Sequence, residues 1–371
     1  MSAATKRLGV ARALVGARLV DGDVAIADDR IVEVGLEPAT GVRTAAPGFI
    51  DLQVNGFAGH DLLTAAPADY AAVGQALAAT GVTAYLPTLI TAEEAVTVAA
   101  LRALGEASAV VGPGDPRILG AHLEGPFISP RRPGTHPPEL IQPPDAAWLE
   151  RMLGIGPVAM ITLAPERDGA AAVIDIAREA GIVVAVGHTD ATAGEAHAAF
   201  DRNAKAVTHV FNAMRPMTHR DPGVAAVGLT RDDVHVMMIA DRVHLADETL
   251  RLLFAVAGRR VVLVTDAVAA AGAPDGTYRI GAVTLTKRGN EVRRSDGTLA
   301  GSALTMDAAV RNCVEIGIPL ARSLYAASTA PARLLGLRRS GSIAPGMAAD
   351  VVVLDDALQV AEVLRDGRRI A

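Results

Sequence analysis

Aromatic residues are scarce in this chain: Phe, Trp and Tyr make up only 3% of 371 residues. Its core must therefore be built from Ala, Val, Leu and Ile. Cysteine occurs once, at Cys313, which excludes an internal disulfide. Lysine stands only at 6, 205 and 287, so basic character rests on Arg, a bias read together with the high Ala content as codon usage. There is no basic block, and the net charge is −6. That balance argues against a nucleic-acid surface, so an anionic ligand would have to be met by local Arg or His. No apolar run reaches the roughly 18–20 residues of a membrane span. The opening MSAATKRLGV has no long apolar segment of the signal-peptide kind. Repeats and low-complexity tracts are also missing. A cytoplasmic, enzyme-sized protein is expected.

What is present is a regular alternation. Short apolar runs cover 48–54, 82–89, 117–123, 158–164, 182–188, 205–211, 234–240 and 261–266. Between several of them lie Ala-rich stretches such as PADYAAVGQALAAT, whose apolar spacing suits amphipathic helices ending at Gly. Eight such units predict an α/β protein with a (β/α)₈ barrel over 47–337, whose active site gathers at the C-terminal strand ends. The flanks, 1–46 and 338–371, read instead as short Val/Ile strands broken by Asp-Gly and Asp-Asp turns. Neither flank makes a stable sheet alone. Together they are expected to pair into one small β-domain.

Chemistry is expected where apolar strands run into polar residues. The third run ends in His122 and Glu124, the fifth in His188, the sixth in His209 and Asn212, the eighth in Asp266. A single strand-end His is more often a hydrogen-bonded core residue. Four strand ends carrying His, Glu or Asp resist that explanation, because burying unpaired charge is costly. A carboxylate and two imidazoles from separate strands can converge on one divalent cation, with Zn²⁺, Fe²⁺, Co²⁺ or Mn²⁺ suited to that donor set. The first run, FIDLQVNG, places Gln53 and Asn55 on one strand face. Both are neutral amides and poor metal ligands.

The segments PGFIDLQVNG, HLEGPF…GTH, GHTDAT, THVFNAM, VTDA and DGTLAGSALTM resemble the N-acetylglucosamine-6-phosphate deacetylase family, a branch of the amidohydrolase superfamily. The similarity runs over essentially the whole chain, to PGMAADVVVLD near its end. Some members of that family carry His-x-His and bind two metals; this sequence resembles those with Gln-x-Asn and one. The resemblance implies one divalent ion per subunit, zinc first, held by Glu124, His188 and His209. Gln53 and Asn55 would then line the second metal position. It also implies Asp266 as general base and His136 as the group that contacts the substrate carbonyl. Phosphate and sugar contacts are implied for Asn212, Ala213, Arg220 and His244, with a closing loop at Leu299, Ala300 and Gly301. Arg220 would act in its own subunit or reach into a neighbour's site, in an expected homodimer. The family has Gly where this chain has Arg242, which would reshape that loop, add a phosphate contact or narrow the pocket.

The implied substrate is a small phosphorylated amino sugar, N-acetylglucosamine 6-phosphate. N-acetylgalactosamine 6-phosphate is the alternative, since no motif reads the orientation of one hydroxyl. A non-catalytic scaffold of the same fold is disfavoured by the retained Glu124, His188, His209 and Asp266. A cyclic-amide hydrolase using a carboxylated Lys is excluded, because the fourth run meets no Lys. His122 is expected to pack beneath the site rather than bind the ion. His60, His197, His219 and His235 receive no role, and Cys313 is expected to be inert core.

Overall fold

The structure is a computed structural model and describes residues 5–371. Eight parallel strands follow the expected runs: β1 (Phe49–Val54), β2 (Val82–Ile90), β3 (Ala121–Glu124), β4 (Val158–Leu163), β5 (Val183–Val186), β6 (Ala206–Val207), β7 (His235–Ile239) and β8 (Val261–Val264). They pair in sequence order from β1 to β8. A parallel bridge from Val54 to Ala267, just past β8, brings the ends of the sheet together. A helix follows each strand, from Asp69–Ala78 after β1 to Met306–Glu315 after β8. This is a (β/α)₈ barrel. Because helices cover its outside and side chains fill its inside, the strands are buried along nearly their whole length and read as unbroken apolar runs.

With few aromatics, the core is aliphatic. Val261, Val262, Leu263 and Val264 of β8 are all fully buried. Each such side chain contributes roughly 1.5–3 kcal/mol over an exposed one. An edge-on contact between Phe127 and Trp148, with ring centres 5.2 Å apart, is the one ring pair formed by Phe, Trp or Tyr among the described residues.

Most strands are shorter than their apolar runs, and in the third and sixth the backbone shows why. The third run breaks at Gly120, whose φ of +118° turns the chain between Ile118 and Ala121. The sixth keeps only Ala206 and Val207 as strand. Beyond it His209, Phe211 and Ala213 all take positive φ, at 24°, 73° and 47°, and coil over the barrel mouth. A three-stranded antiparallel sheet (Gly276–Ile280, Val283–Arg288, Glu291–Arg293) lies between β8 and its helix. The apolar-run reading missed it.

The two flanks share one sheet. Its order is Arg368–Arg369, Val360–Arg365, Val351–Leu354, Thr44–Pro47, Arg12–Val15 and Arg18–Asp21. A second sheet of Lys6–Arg7, Asp23–Ala27 and Arg30–Leu36 closes over it. Between them lies a core distinct from that of the barrel, built from Val10, Val24, Ile31, Ile343, Val351 and Val353 among others.

Candidate active site

Polar side chains collect at the C-terminal end of the barrel. Glu124 ends β3, His188 follows β5, His209 follows β6 and Asp266 follows β8. His188, His209 and Asp266 all have left-handed backbone, with φ of 47°, 24° and 51°. Such conformations cost about 1–3 kcal/mol each in a non-glycine residue and persist where the surroundings enforce them. They swing each side chain from the strand direction across the barrel mouth.

Glu124 Oε1 lies 3.0 Å from His209 Nε2 and 3.4 Å from His188 Nε2, and the two imidazole nitrogens are 3.1 Å apart. Among the described residues these three form the one group whose ligand atoms lie within 4.8 Å of one another. His188 Nδ1 is 3.0 Å from the Arg132 carbonyl, to which it donates, so the neutral ring turns its lone pair, on Nε2, toward Glu124 and His209. A carboxylate oxygen and an imidazole lone pair face each other with His209 Nε2 beside them. That is a donor set for a cation, and the three residues fit one.

The amides of β1 sit against this group. Gln53 Nε2 donates to Glu124 Oε1 at 3.0 Å, and Asn55 Nδ2 donates to Asp266 Oδ1 at 2.7 Å. Their own oxygens, Gln53 Oε1 and Asn55 Oδ1, are buried without a partner. Below them, His122 bridges the Leu52 carbonyl (3.1 Å) and Thr162 Oγ1 (2.7 Å), as a packing residue does.

Burial sets the titration of the group. It raises Asp266, helped by the charge of Glu124, to about 6. Glu124 is also penalised by burial, but hydrogen bonds and charge from His188 and His209 outweigh this and hold it well below the usual carboxylate range. Burial, with the neighbouring His188, lowers His136 to about 3, so it is neutral at pH 7.

These residues line a cavity of about 540 Å³, which also takes in Asn212, Ala213, His244, Leu299 and Gly301. That size suits a small ligand. His244 is clamped by Asp241, Nδ1 to Oδ2 at 2.6 Å. The Asn212 amide donates back to the carbonyls of His209 (3.1 Å) and Val210 (3.3 Å), holding the turn after β6 and leaving its oxygen free. Gly134, at φ +57°, lets the loop from 129 to 136 pass over His188: a Cβ there would fall 2.9 Å from His188 Cε1.

Three residues expected near the ligand stand apart. Arg220 is exposed and outside the cavity lining. Ala300 is fully buried behind Leu299 and Gly301 and does not line the cavity. Arg242 has φ of +62°, keeping the backbone shape that Gly would take, and turns outward to Asp247 (2.9 Å) and Glu315 (3.1 Å). It neither lines nor narrows the pocket. The cavity instead has Arg131, Arg132 and Arg293 in its lining, none anticipated from the sequence. Arg131 and Arg132 both bind Asp190, two residues after His188. The run RRPGTH, which ends in His136, held the only signal for the first two.

The amidohydrolase family model matches residues 44–370. An N-acetylgalactosamine-6-phosphate deacetylase of Escherichia coli O157:H7 is 37% identical over 355 residues, covering 95% of this chain and 93% of the relative. An N-acetylglucosamine-6-phosphate deacetylase of Danio rerio is 39% identical over 345 residues, covering 88% and 84%. A mutant N-acetyl-D-glucosamine-6-phosphate deacetylase from Mycobacterium smegmatis, solved with N-acetyl-D-glucosamine 6-phosphate, superposes with a TM-score of 0.94 at 36% identity, covering 99% of this chain and all of that one. The alternation of strands and helices, the polar strand ends and these likenesses agree: the chain belongs to the amidohydrolase family, among its N-acetylglucosamine-6-phosphate deacetylases.

Proposed function

We propose that this enzyme hydrolyses the acetamide of N-acetylglucosamine 6-phosphate, giving glucosamine 6-phosphate and acetate. The observation that carries the reading is the meeting of Glu124, His188, His209, Asp266 and His136 in one cavity at the strand ends. Glu124, His188 and His209 hold a single divalent cation, zinc in the first instance. Bound there, the cation would acidify water and polarise the acetamide carbonyl.

The chain's own groups account for the proton traffic. Asp266, with one oxygen held by Asn55, takes a proton from the attacking water as the water oxygen bonds to the carbonyl carbon. It returns that proton to the sugar nitrogen as the C–N bond breaks and acetate leaves. His136 Nε2 donates to the carbonyl oxygen as charge builds on it. Gln53 and Asn55 orient Glu124 and Asp266 and bind no second ion.

The phosphate meets His244 and the Ala213 N–H, which donates to no acceptor among the described residues. Arg220, exposed on its loop, supplies a cation to the site of a second subunit in a homodimer. A doubly charged sugar phosphate crosses membranes poorly, which supports a cytoplasmic enzyme. No described helix is long and apolar enough to cross a membrane.

N-acetylgalactosamine 6-phosphate is the second reading, favoured by the Escherichia coli relative. Acetate release measured side by side from both sugar phosphates and from plain N-acetylglucosamine tests the proposal. The highest kcat/KM is expected for N-acetylglucosamine 6-phosphate. A higher value for the galacto sugar reverses the preference, and equal values with and without phosphate overturn phosphate recognition.

A further inference from the structure

Thr91, the first residue past β2, lies on the far side of His136 from the cavity. Two of its groups approach the same ring nitrogen: the backbone N–H at 3.2 Å from His136 Nδ1 and the hydroxyl at 2.8 Å. A hydroxyl can donate or accept, but a backbone N–H only donates. Nδ1 must therefore present its lone pair. A proton on Nδ1, in the neutral or the cationic ring, would oppose the Thr91 N–H and strand a buried donor. Thr91 is 2% exposed, as is His136, so water does not relieve that conflict. The fit depends on Gly125, which follows Glu124: at its φ of +92°, a Cβ would fall 2.2 Å from Thr91 Oγ1.

We infer that Thr91 is a positioning residue that fixes His136 as a neutral imidazole with its proton on Nε2. That nitrogen faces the cavity, 3.8 Å from Glu124 Oε2. So held, His136 donates a hydrogen bond and takes up no proton, because its one lone pair is engaged by Thr91. Acid and base duty then falls to Asp266 alone. The consequence for catalysis rests on the reading of His136 as the carbonyl's donor; the tautomer itself does not.

Nitrogen NMR of the whole enzyme labelled with ¹⁵N-histidine, with His136→Gln supplying the assignment by difference, reads the tautomer directly. The expected spectrum shows His136 protonated at Nε2 and bare at Nδ1; a proton on Nδ1 overturns the inference. In kinetics, Thr91→Val should lower kcat about 10-fold with KM within about twofold, while Thr91→Ser stays within about threefold of wild type in kcat. Wild-type kcat in Thr91→Val would overturn the hydroxyl's share in the positioning and leave it to the backbone N–H, which that variant keeps. Full activity in His136→Gln sinks the carbonyl-donor reading, whereas the nitrogen spectrum still decides the tautomer.

Discussion

Asp266 shows how one side chain's surroundings select its chemistry. It is 8% exposed, with Asn55 donating to one oxygen, and burial together with Glu124 brings its proton affinity up to about 6. A carboxylate so placed can accept a proton and release it again near neutrality. Asp266→Asn should keep the fold and the metal, hold KM within a few fold and lower kcat by roughly 10²–10⁴. Steady-state kinetics on the sugar phosphate checks it; retention of more than about a tenth of wild-type kcat would exclude the general-base role. At this scale the sequence was readable where a charged residue ends an apolar run, since such a residue has few structural reasons to be there. Thr91 was not readable. A threonine after a strand is chemically ordinary, and its importance lies in meeting a histidine 45 residues away. The direction of Arg242 was likewise hidden, because it depends on Asp247 and Glu315 being at hand outside the pocket.

Among elements, β1 and β8 meet through Asp51. Its carboxylate accepts from Thr265 Oγ1 at 2.6 Å, Thr265 N at 3.2 Å and Gln53 N at 3.3 Å. Thr265 immediately precedes Asp266, so this contact steadies the left-handed turn that aims the base. Burial raises Asp51 to about 7, with the Thr265 hydrogen bonds opposing. A carboxyl whose folded affinity for protons exceeds its unfolded one contributes stability fully below the unfolded pKa of about 4 and loses it as pH rises through the folded value. Asp51→Asn, which cannot ionise, should lack that loss. Wild type should therefore lose stability relative to the variant between pH 5 and pH 8, measured by chemical unfolding at both; a gap that stays constant or moves the other way would refute the assignment. The eight barrel strands were legible because strands covered on both faces are uniformly apolar. The end of β6 was not, since THVFN is apolar enough to pass as strand and only the backbone turn at His209 reveals otherwise. The hairpin sheet from 276 to 293 escaped for the opposite reason: it is half exposed, and its short alternating strands contain no continuous apolar run.

At the scale of the whole molecule, Arg220 stands outside the cavity and is proposed to meet the phosphate from a second subunit. Arg220→Ala should raise KM for the sugar phosphate roughly 10- to 150-fold, the worth of a charge-assisted hydrogen bond, and leave activity on plain N-acetylglucosamine nearly unchanged. Equal losses on both substrates would make Arg220 structural. If it serves the neighbouring site, mixing Arg220→Ala with His188→Ala subunits should recover activity that neither has alone, and no recovery would place its action within one subunit. Above all stands the claim that the centre built by Glu124, His188 and His209 holds a single cation, with Gln53 and Asn55 replacing the ligands of a second. Elemental analysis of the dialysed wild-type protein tests this most directly. One equivalent of divalent metal per chain, abolished in Glu124→Ala, His188→Ala and His209→Ala but kept in Gln53→Ala and Asn55→Ala, is the predicted result. Two equivalents in the unmodified protein would contradict it.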